Sequence, residues 1–576
     1  MKNQLRADAQ TIADFLYDHL TEDGLREPDS GVVLNHTYST EWFAWACALL
    51  YRQTGEERWV KAAVKATHAA LNMQATWYAN SMALGSKPTF PWEFKNLALL
   101  HVEQLISTAL PEKTRNRLRE ALRNWRDLDI DTAMWTTLRL VTYTLRADRF
   151  RKPGDRRRAW LERTMLLGMQ TPEGFFPDQP DSFSLQYHAY ILALLALHHR
   201  QHPTNRIRRA LLKGVRLAAD FINPEGDFNY YGRGQRQLAG YAALVLALAE
   251  AARQTGEAAE AHEFMMLAQR VRNFIMRYVN AEKGFPIVLG DSPVKAHYGW
   301  YEYNNQTDYL ALCAVMFLLT IPPPNTENIT DTGRPPAKPA ALRCYPDIGL
   351  AVADLPDRFA VFAAGRPDES EPCGLVHLWP DGPFCLGGPD IEWAVGRDYS
   401  NNYLGPVVNK RPLVHRRPGR LAIENGKLVI HSGAFDLSLT QTVNLEDGLT
   451  IDMAIHAENA APRTIQLAIP GEHPLPGATV ETIDTPLGAG KRTLGAEEQI
   501  GGQQRDWAAS VTLLTQPDSA SNAAWEVIRG GRETSAVNAF SQRVLKSLWV
   551  LMVMRLRRRR RVTGPPLLKT QPWVET

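Results

Sequence analysis

Apolar residues recur at three- and four-residue spacing through about the first 320 residues, and this spacing predicts helix after helix. Joints rich in Gly, Pro, Asp and Asn separate the helices. Neighbouring helices of similar length predict hairpins, and six hairpins can either close into a ring or form an open solenoid, with the long joints building a cleft on one face. The predicted helices are 4–20, 39–54, 57–73, 90–108, 112–126, 132–147, 156–168, 183–200, 205–221, 235–254, 257–280 and 299–319.

The pattern changes at the proline-rich stretch Ile321–Ala341, which we interpret as a linker. Period-two alternation follows, and Leu421–Gly433 is predicted to be a hairpin that turns at Asn425-Gly426. A mostly antiparallel β-sandwich of roughly 200 residues fits this part. The predicted divisions are a helical array over 1–320, the linker over 321–341, the β-sandwich over 342–545, and a short apolar segment with a basic tail over 546–576.

Three clusters of aromatic and polar residues lie near predicted joints, each ahead of an apolar helix face: Phe175–Tyr190, Gly226–Leu244 and His297–Leu310. Any single Tyr or His in them is readily explained as a half-buried structural residue. Three such clusters at joints of one array favour a cleft. In the first cluster, Gln186, Tyr187 and Tyr190 share one edge of a helix, with His188 beside it.

The second cluster places Arg233 and Arg236 at the start of a helix, with Gln235 and Gln237. Cations there oppose the helix dipole and need a partner, which is either a buried carboxylate or an acidic ligand. The third cluster offers the flat rings of Trp300 and Tyr301 and the amides of Asn304 and Asn305.

Length and composition narrow the possibilities. A chain of 576 residues predicts at least two domains. A net charge of +3 gives no reason to expect nucleic acid as a partner. The five cysteines lack zinc spacing, and we interpret them as free thiols in a reducing compartment: Cys47, Cys313, Cys344, Cys373 and Cys385. The histidines of the β part are scattered, so no metal is expected, and the absence of a Rossmann fingerprint or P-loop argues against a nucleotide cofactor.

The two ends of the chain bear on its location. The first 20 residues lack the apolar core of a signal peptide, and we expect a cytoplasmic protein. No run of about 20 apolar residues predicts a spanning helix. Leu548–Met554 is apolar but short, and Arg555–Arg561 is basic, so this tail either makes weak contact with a membrane surface or is solvated.

A helical toroid followed by a β-sandwich resembles the heparinase II/III-like and chondroitin/hyaluronate-type polysaccharide lyases. EGFFPDQPDSFSLQYHAYILALL resembles the stretch that leads into a helix bearing His and Tyr in those enzymes. YYGRGQRQ resembles the segment that supplies arginines to the cleft, and Ser400–Leu421 resembles a loop over it. The resemblance implies β-elimination on a uronate polymer, without a cofactor. The basic residues Lys410, Arg411, Arg416 and Arg417 also favour an acidic polymer.

In such a reaction a base removes the proton next to the carboxylate, and a cation or amide stabilises the developing charge. The resemblance implies catalytic roles for Tyr187, His188, Tyr190 and Arg233. The remaining candidates bind substrate: Asn96, Trp135, Gln186, Tyr231, Arg236, Gln237, Trp300, Tyr301, Asn304, Asn305 and Tyr403. In the lyases that this chain resembles, an Asn that precedes a Trp neutralises the substrate carboxylate. Here Met134 precedes Trp135, so Asn96, Gln186 or His188 would take that role.

Two alternatives stay open. A glycoside hydrolase on the same scaffold needs two carboxylates about 5 to 10 Å apart, with Asp178, Asp181 and Asp227 as candidates. A non-catalytic carbohydrate-binding or assembly protein needs neither. The product, an unsaturated uronate or a plain reducing end, separates lyase from hydrolase, and turnover separates both from a binding protein.

Overall fold

The computed structural model describes residues 1–34, 36–83, 92–124, 132–152, 154–178, 183–290, 305–321, 341–355, 358–364, 374–379, 405–409, 411–412, 419–434, 436–445, 448–459, 461–470, 479–485, 488–500, 503–515 and 526–529. Its helices are α1 (Lys2–Tyr17), α2 (Ser39–Thr54), α3 (Glu57–Ala83), α4 (Trp92–Ile106), α5 (Glu112–Asn124), α6 (Ala133–Phe150), α7 (Asp155–Met169), α8 (Leu185–Gln201), α9 (Asn205–Asp220), α10 (Leu238–Gln254), α11 (Ala258–Tyr278) and α12 (Gln306–Thr320). The predicted helical array is therefore present, with most ends within a few residues of the prediction.

The helices form a closed ring of hairpins. Each even-numbered helix from α2 to α12 packs against the next even-numbered helix, and α12 packs against both α1 and α2, which closes the circle. The odd-numbered helices pack on the outside. Of the two arrangements that the periodicity allowed, the structure has the toroid.

Sequence decides which helices are inside. In α10, every residue from Leu238 to Ala252 is buried, because apolar side chains cover all its faces. In the outer helix α5, only Thr114, Leu118 and Leu122 are buried, and the charged residues between them face away from the ring. Among the described residues, no helix has the length and apolarity needed to cross a membrane.

The described strands that follow form three sheets. The first sheet has the order β16-β1-β2-β3-β4, with β1 (Ala341–Tyr345), β2 (Leu350–Asp354), β3 (Phe359–Ala363), β4 (Gly374–Trp379) and β16 (Glu526–Arg529). The second has the order β15-β10-β9-β8-β7, with β7 (Arg420–Glu424), β8 (Lys427–Ala434), β9 (Leu437–Asn444), β10 (Gly448–Ala457) and β15 (Asp506–Thr515).

The third sheet has the order β12-β13-β11-β5-β6, and β14 also pairs with β11. Its strands are β5 (Gly405–Val408), β6 (Arg411–Pro412), β11 (Arg463–Pro470), β12 (Thr479–Thr485), β13 (Gly488–Leu494) and β14 (Glu498–Ile500). The predicted hairpin turns at Asn425-Gly426 between β7 and β8. All strand pairs are antiparallel except β1 with β16, which is parallel. The β-sandwich itself stays a prediction.

The first sheet belongs to two hydrophobic cores. One of its faces, with Leu350, Val352 and Val361, joins the core of the ring. Its other face, with Ala351 and Phe362, joins the core of the second and third sheets. The β part is therefore packed directly on the helical part.

A seam between the ring and the sheet lies at the joint between α9 and α10. The ring of His377, on β4, stacks on Tyr230 with centroids 4.0 Å apart. The Asn223 amide donates a hydrogen bond to His377 Nε2 at 3.2 Å, because its oxygen already accepts from three backbone N–H groups. Burial lowers the pKa of His377 to about 4. This seam holds the joint that leads to Arg233 and Arg236.

Candidate functional site

The first turns of the six inner helices meet at one end of the ring, which we call the polar rim. At the α12–α2 junction, Asp308 Oδ1 accepts the backbone N–H of Tyr38 at 3.0 Å. The ring of Tyr38 stacks on Phe94 of α4 at 4.7 Å, and Phe94 contacts Trp135 of α6 edge-on at 5.6 Å. Aromatic side chains thus connect the three inner helices α2, α4 and α6, and the Asp308 hydrogen bond adds α12.

The other half of the polar rim is joined by polar contacts. Ser184 caps α8 by accepting the N–H of Tyr187, and its hydroxyl donates to the carbonyl of Arg233, before α10, at 2.6 Å. The hydroxyl of Tyr309, in α12, donates to Gln237 Oε1 at 3.3 Å, which links α12 to the start of α10. Together these contacts join five of the six pairs of neighbouring inner helices at this end.

The polar rim is electrostatically suited to an anion. Six inner helices point their N-termini to this end, and each N-terminus carries a partial positive charge. Among the described residues, no group of three or more His, Cys, Asp and Glu side chains has the geometry to hold a metal ion. The rim offers positive potential at its helix N-termini and aromatic side chains.

Tyr187 is the half-buried member of the first cluster. The guanidinium carbon of Arg233 lies 5.1 Å from the centre of its ring, and Tyr190 lies behind it with ring centroids 6.2 Å apart. Burial, followed by the neighbouring Tyr187, raises the pKa of Tyr190 well above its usual value. Three of the four residues to which the resemblance assigns catalytic roles are therefore brought together.

His188 has a different position. It is fully buried, and its Nδ1 accepts the backbone N–H of Phe176 at 3.1 Å. Its Nε2 must then carry the proton that it donates to the carbonyl of Gly214 at 3.1 Å. Burial lowers the pKa of His188 to about 4, with the Gly214 bond opposing that effect. With both nitrogens engaged by backbone groups, His188 lacks a lone pair for a substrate proton, and the geometry gives it a structural role.

Both arginines of the second cluster face buried carboxylates. A buried carboxylate was one of the two partners expected for a cation at the start of a helix, the other being an acidic ligand. Arg233 Nη1 lies 3.4 Å from Asp178 Oδ2, and Arg236 Nη2 lies 2.9 Å from Asp227 Oδ2. Asp227 also accepts the hydroxyl of Tyr241 at 2.5 Å. Arg236 is thus part of an internal network, whereas Arg233 reaches the polar rim.

Two glycines shape this loop. Gly232 has φ of +84°, and a Cβ there would lie 2.8 Å from the carbonyl oxygen of Phe183. Gly234 has φ of +82°, and a Cβ there would lie 2.2 Å from Gln186 Oε1. At Gly232 the added Cβ would clash with backbone, and both positions have the left-handed φ that favours glycine.

The remaining described candidates are mostly buried at the polar rim. Trp135 and Asn305 are both 8% exposed, whereas Tyr231 is 5% exposed and packs on Phe183. Asn96 and Gln186 are each 1% exposed, and among the residues that the structure describes Asn96 Nδ2 and Gln186 Oε1 have no hydrogen-bond partner. An unpaired buried amide atom is costly, so these two atoms are candidates for contact with a ligand or water.

Some candidates lie outside the described residues: Trp300, Tyr301, Asn304, Tyr403, Asp181, Lys410, Arg416, Arg417 and the 546–576 tail. For Arg411, the structure describes the backbone within β6 only. Most of the loop Ser400–Leu421 and of the Ile321–Ala341 linker likewise lies outside the described residues.

Sequence reasoning missed a buried acid in α12. Asp308 is 3% exposed, and burial, then the charge of Glu27, raises the pKa of its carboxyl well above the usual value. Glu27 itself caps α12 by accepting the N–H groups of Gln306 and Thr307. In the sequence, Asp308 resembles an ordinary helix-capping acid, and nothing near it indicates that Glu27 fulfils that role.

A second missed feature is the buried ion pair between α2 and α4. Lys95 Nζ lies 3.4 Å from Glu41 Oε1, and neither side chain is more than 1% exposed. Gln74 also donates to Glu41 at 3.4 Å. The available signal was Lys95 in the stretch WEFKNLALL, where polar residues alternate with apolar ones before a run of four apolar residues.

Scans of the sequence against protein-family models and curated proteins find no match. Solved structures with a similar arrangement of helices do exist. An inactive variant of the α-1,6-mannanase of Salegentibacter sp. HEL1_6, in complex with α-1,6-mannotriose, is 13% identical, covers 55% of this chain and 99% of its own, and gives a TM-score of 0.41. A glycosyl hydrolase family 88 protein from Bacteroides vulgatus is 11% identical, with 56% and 99% coverage and a TM-score of 0.42.

A polysaccharide lyase is 9% identical, covers 55% of this chain and 97% of its own, and gives a TM-score of 0.41. At such scores these likenesses carry no argument about activity. The toroid is established by the helix packing of this chain, and it agrees with the fold expected from the resemblance. The comparisons do not support the heparinase II/III-like family specifically.

Proposed function

We propose that the polar rim cleaves an acidic, uronate-containing poly- or oligosaccharide by β-elimination. The observation that carries this proposal is the placement of the Arg233 guanidinium 5.1 Å from the ring of Tyr187. Tyr187 is the accessible tyrosine of α8, and a cation next to a phenol stabilises the negative charge on its oxygen. The pair combines a base with a positive charge.

An acidic substrate fits the charges of the rim. Arg233 keeps 21% of its side chain exposed, and its contact with Asp178 is long for an ion pair. The inner-helix N-termini add positive potential at the same end. The aromatic contacts from Tyr38 to Trp135 supply apolar surface on the opposite part of the circle. A saccharide with a carboxylate uses both kinds of surface.

The role of the neutralising amide passes to Asn96. Its Nδ2 is buried in the first turns of α4 and lacks a partner among the described residues. A substrate carboxylate that accepts from Nδ2 would complete the hydrogen bonding of that group. His188, the other candidate for this role, already uses both ring nitrogens.

The reaction is a proton transfer with loss of the leaving sugar. The Tyr187 oxygen takes the proton from the carbon next to the substrate carboxylate, and Arg233 and Asn96 stabilise the enolate-like charge. The electron pair of the broken C–H bond forms a carbon–carbon double bond and expels the glycosidic oxygen. That oxygen receives a proton from Tyr190 or from the phenol of Tyr187 itself. The product is an unsaturated uronate.

The test is ultraviolet absorbance over time with the full chain and a panel of uronate-containing polysaccharides. Absorbance from the unsaturated product should rise with the wild type and fall at least a hundredfold in rate with Tyr187→Phe, since general base catalysis contributes roughly 10²–10⁴-fold. Tyr17→Phe is the matched control, because Tyr17 ends the outer helix α1 and is 40% exposed. It should retain full activity.

Two outcomes would overturn this mechanism. A Tyr187→Phe variant with wild-type rates removes Tyr187 as the base. A wild type that yields neither unsaturated product nor new reducing ends on the whole panel points to a carbohydrate-binding or assembly protein. An unchanged thermal unfolding midpoint of Tyr187→Phe shows that any loss of activity is chemical.

A hydrolase is the second candidate, because the rim also holds two buried acids. Burial raises the pKa of Asp178, against the lowering effect of Arg233, and raises that of Asp308 more strongly. Carboxyls held in the protonated form serve as general acids in glycoside hydrolysis. New reducing ends without ultraviolet absorbance, lost in Asp308→Asn, would establish this reaction instead.

A further inference from the structure

The outer wall of the ring is strongly positive on one side. The outer helices α5, α7 and α9 contain fourteen basic and five acidic residues, a net charge of +9. The outer helices α1, α3 and α11 contain eight basic and five acidic residues, a net charge of +3. The whole chain carries only +3, so the basic residues are concentrated on one arc.

Two of the five acids of this arc, both in α7, do little to offset its charge at the surface because they are buried. Asp155 of α7 is fully buried against Arg146, with N–O distances of 2.6 and 2.9 Å. Glu162 of α7 is 3% exposed and faces the buried Arg139 at 3.3 Å. Both carboxylates therefore neutralise interior arginines.

Some cations of the arc are paired, such as Arg119 with Glu103 and Arg216 with Glu260, but others face outward. Arg156 and Arg157 of α7 and Arg206 of α9 are exposed, and within the described part of the chain they form no ion pair. Trp160 of α7 lies one turn after Arg156 and is 49% exposed. Trp160 therefore offers a flat apolar face beside these cations.

We propose that this basic arc, formed by α5, α7 and α9, is a docking surface for an acidic polysaccharide chain outside the polar rim. The proposal rests on the proposed function for the identity of the polymer. The arc places carboxylate-binding groups along a path on the outer wall, so a long substrate is held there while one of its bonds lies at the rim.

The residue types favour carboxylates. Twelve of the fourteen basic residues of the arc are arginine. The planar guanidinium of arginine binds a carboxylate through two parallel hydrogen bonds, which the ammonium of lysine does not do. Trp160 supplies a flat apolar face next to them, which suits the apolar face of a sugar ring.

The shape favours a flexible chain over a membrane. α5, α7 and α9 are successive outer helices of a closed ring, so their exposed faces follow a convex arc. A flat bilayer touches such an arc along one line only. A polysaccharide bends around it and contacts all three helices.

The test is equilibrium binding of polygalacturonate of defined length by the full chain carrying Tyr187→Phe, so that turnover does not interfere. Arg156→Gln combined with Arg157→Gln should weaken binding roughly two- to thirty-fold, because exposed charge contacts contribute about 0.2–1 kcal/mol each. Trp160→Ala should also weaken it. The dissociation constant should rise with added salt, because salt screens exposed charges.

The matched control is Arg58→Gln combined with Lys61→Gln on the outer helix α3, which removes two exposed cations elsewhere. It should bind like its parent. Equal weakening by the control pair overturns the proposal, because net charge alone would then explain binding. Unchanged binding by the Arg156/Arg157 pair also overturns it.

Two further arms identify the partner. The same variants are tested for binding to double-stranded DNA and to phosphatidylserine vesicles. If either binds through Arg156 and Arg157 as tightly as polygalacturonate does, the assignment to a polysaccharide is overturned. Neutral dextran should not bind. If the wild type binds the polymer through the arc but gives no product, the proposed lyase function fails while the docking surface stands.

In an active enzyme, the Arg156/Arg157 pair should lower kcat/KM on the polymer and leave the value on a tetrasaccharide unchanged. A tetrasaccharide is too short to reach from the rim to the outer wall. Equal losses on both substrates would mean that the variant damages the fold, and the docking assignment would fall.

Discussion

Asp308 allows a test of whether the rim holds a protonated acid. Its Oδ1 accepts the N–H of Tyr38 at 3.0 Å, and its Oδ2 accepts from Asn305 at 3.4 Å. Burial and the nearby Glu27 raise the pKa of its carboxyl well above the usual value, and these effects outweigh the lowering by Tyr38, Asn305 and Lys95. Asp308→Asn has the same shape, keeps an acceptor for Tyr38, and carries no charge at any pH.

The raised pKa fixes the sign of the pH dependence. The unfolded chain releases the Asp308 proton near pH 3.9, whereas the folded chain holds it to higher pH. The stability that this group contributes is therefore complete below about pH 3.9 and is lost as pH rises, by at most about 1.4 kcal/mol per pH unit. The Asn variant lacks that loss. Its free energy of unfolding relative to wild type should rise by about this amount per pH unit.

The assay is urea unfolding of both proteins at pH 5 and pH 6, with Asp23→Asn as the control at an exposed carboxyl. We expect the difference between Asp308→Asn and wild type to grow with pH, and the control difference to stay flat. A difference that stays flat between pH 5 and pH 6 would mean that Asp308 is already ionised in the folded state, and the reasoning would be refuted. Activity in Asp308→Asn would separately exclude it as a hydrolase acid.

Three further predictions concern the groups around the rim. Gly232→Ala should lower kcat/KM at least tenfold, because the new Cβ displaces the loop that carries Arg233. The control is Gly55→Ala, where φ is also positive (+76°) but the surrounding space is open; it should lose only about 1–2 kcal/mol of stability and no activity. The free energy of unfolding of wild type should fall between about pH 6.5 and pH 4, because the pKa of His188 is lowered to about 4 and its stabilisation is complete only above pH 6.5. His188→Gln should lack this fall. Equal acid sensitivity in both proteins would contradict the prediction. Lys95→Met or Glu41→Gln alone should cost about 3–5 kcal/mol in urea unfolding, and the double variant less than either, because each single change leaves a buried charge unpaired; additive losses would show that the two residues do not interact.

Helix positions could be predicted from the sequence because apolar spacing is a local property. α2 spans Ser39–Thr54, as predicted, since Gly55 ends it in a left-handed conformation. The predicted start of α12, residue 299, was too early: the helix begins at Gln306, where the side chain of Glu27 caps it. A cap supplied from 279 residues away leaves no local signal.

The proximity of three site candidates could be predicted from the sequence for the same reason, whereas their catalytic roles stay predictions. Tyr187, Tyr190 and Arg233 meet because they start neighbouring helices, which the pattern of joints indicates. His188 stands between them in sequence, yet backbone groups of Phe176 and Gly214 occupy its ring nitrogens. The packing of the next hairpin decides which side chains of a helix's first turn face the inside of the ring. The periodicity of apolar residues does not contain that information.

The parallel pairing of β1 with β16 imposes an order on synthesis. Ala341 lies opposite Glu526, so the ribosome must add 185 further residues before the first sheet gains its edge strand. The inner helices are already complete at that point, and the sheet face that covers Tyr230 and Phe221 is still without its last strand. Closing so long a loop is slow compared with forming hairpins between neighbours. Each nascent chain therefore passes through a stage in which all the helices of the ring have been synthesised while the first sheet still lacks β16.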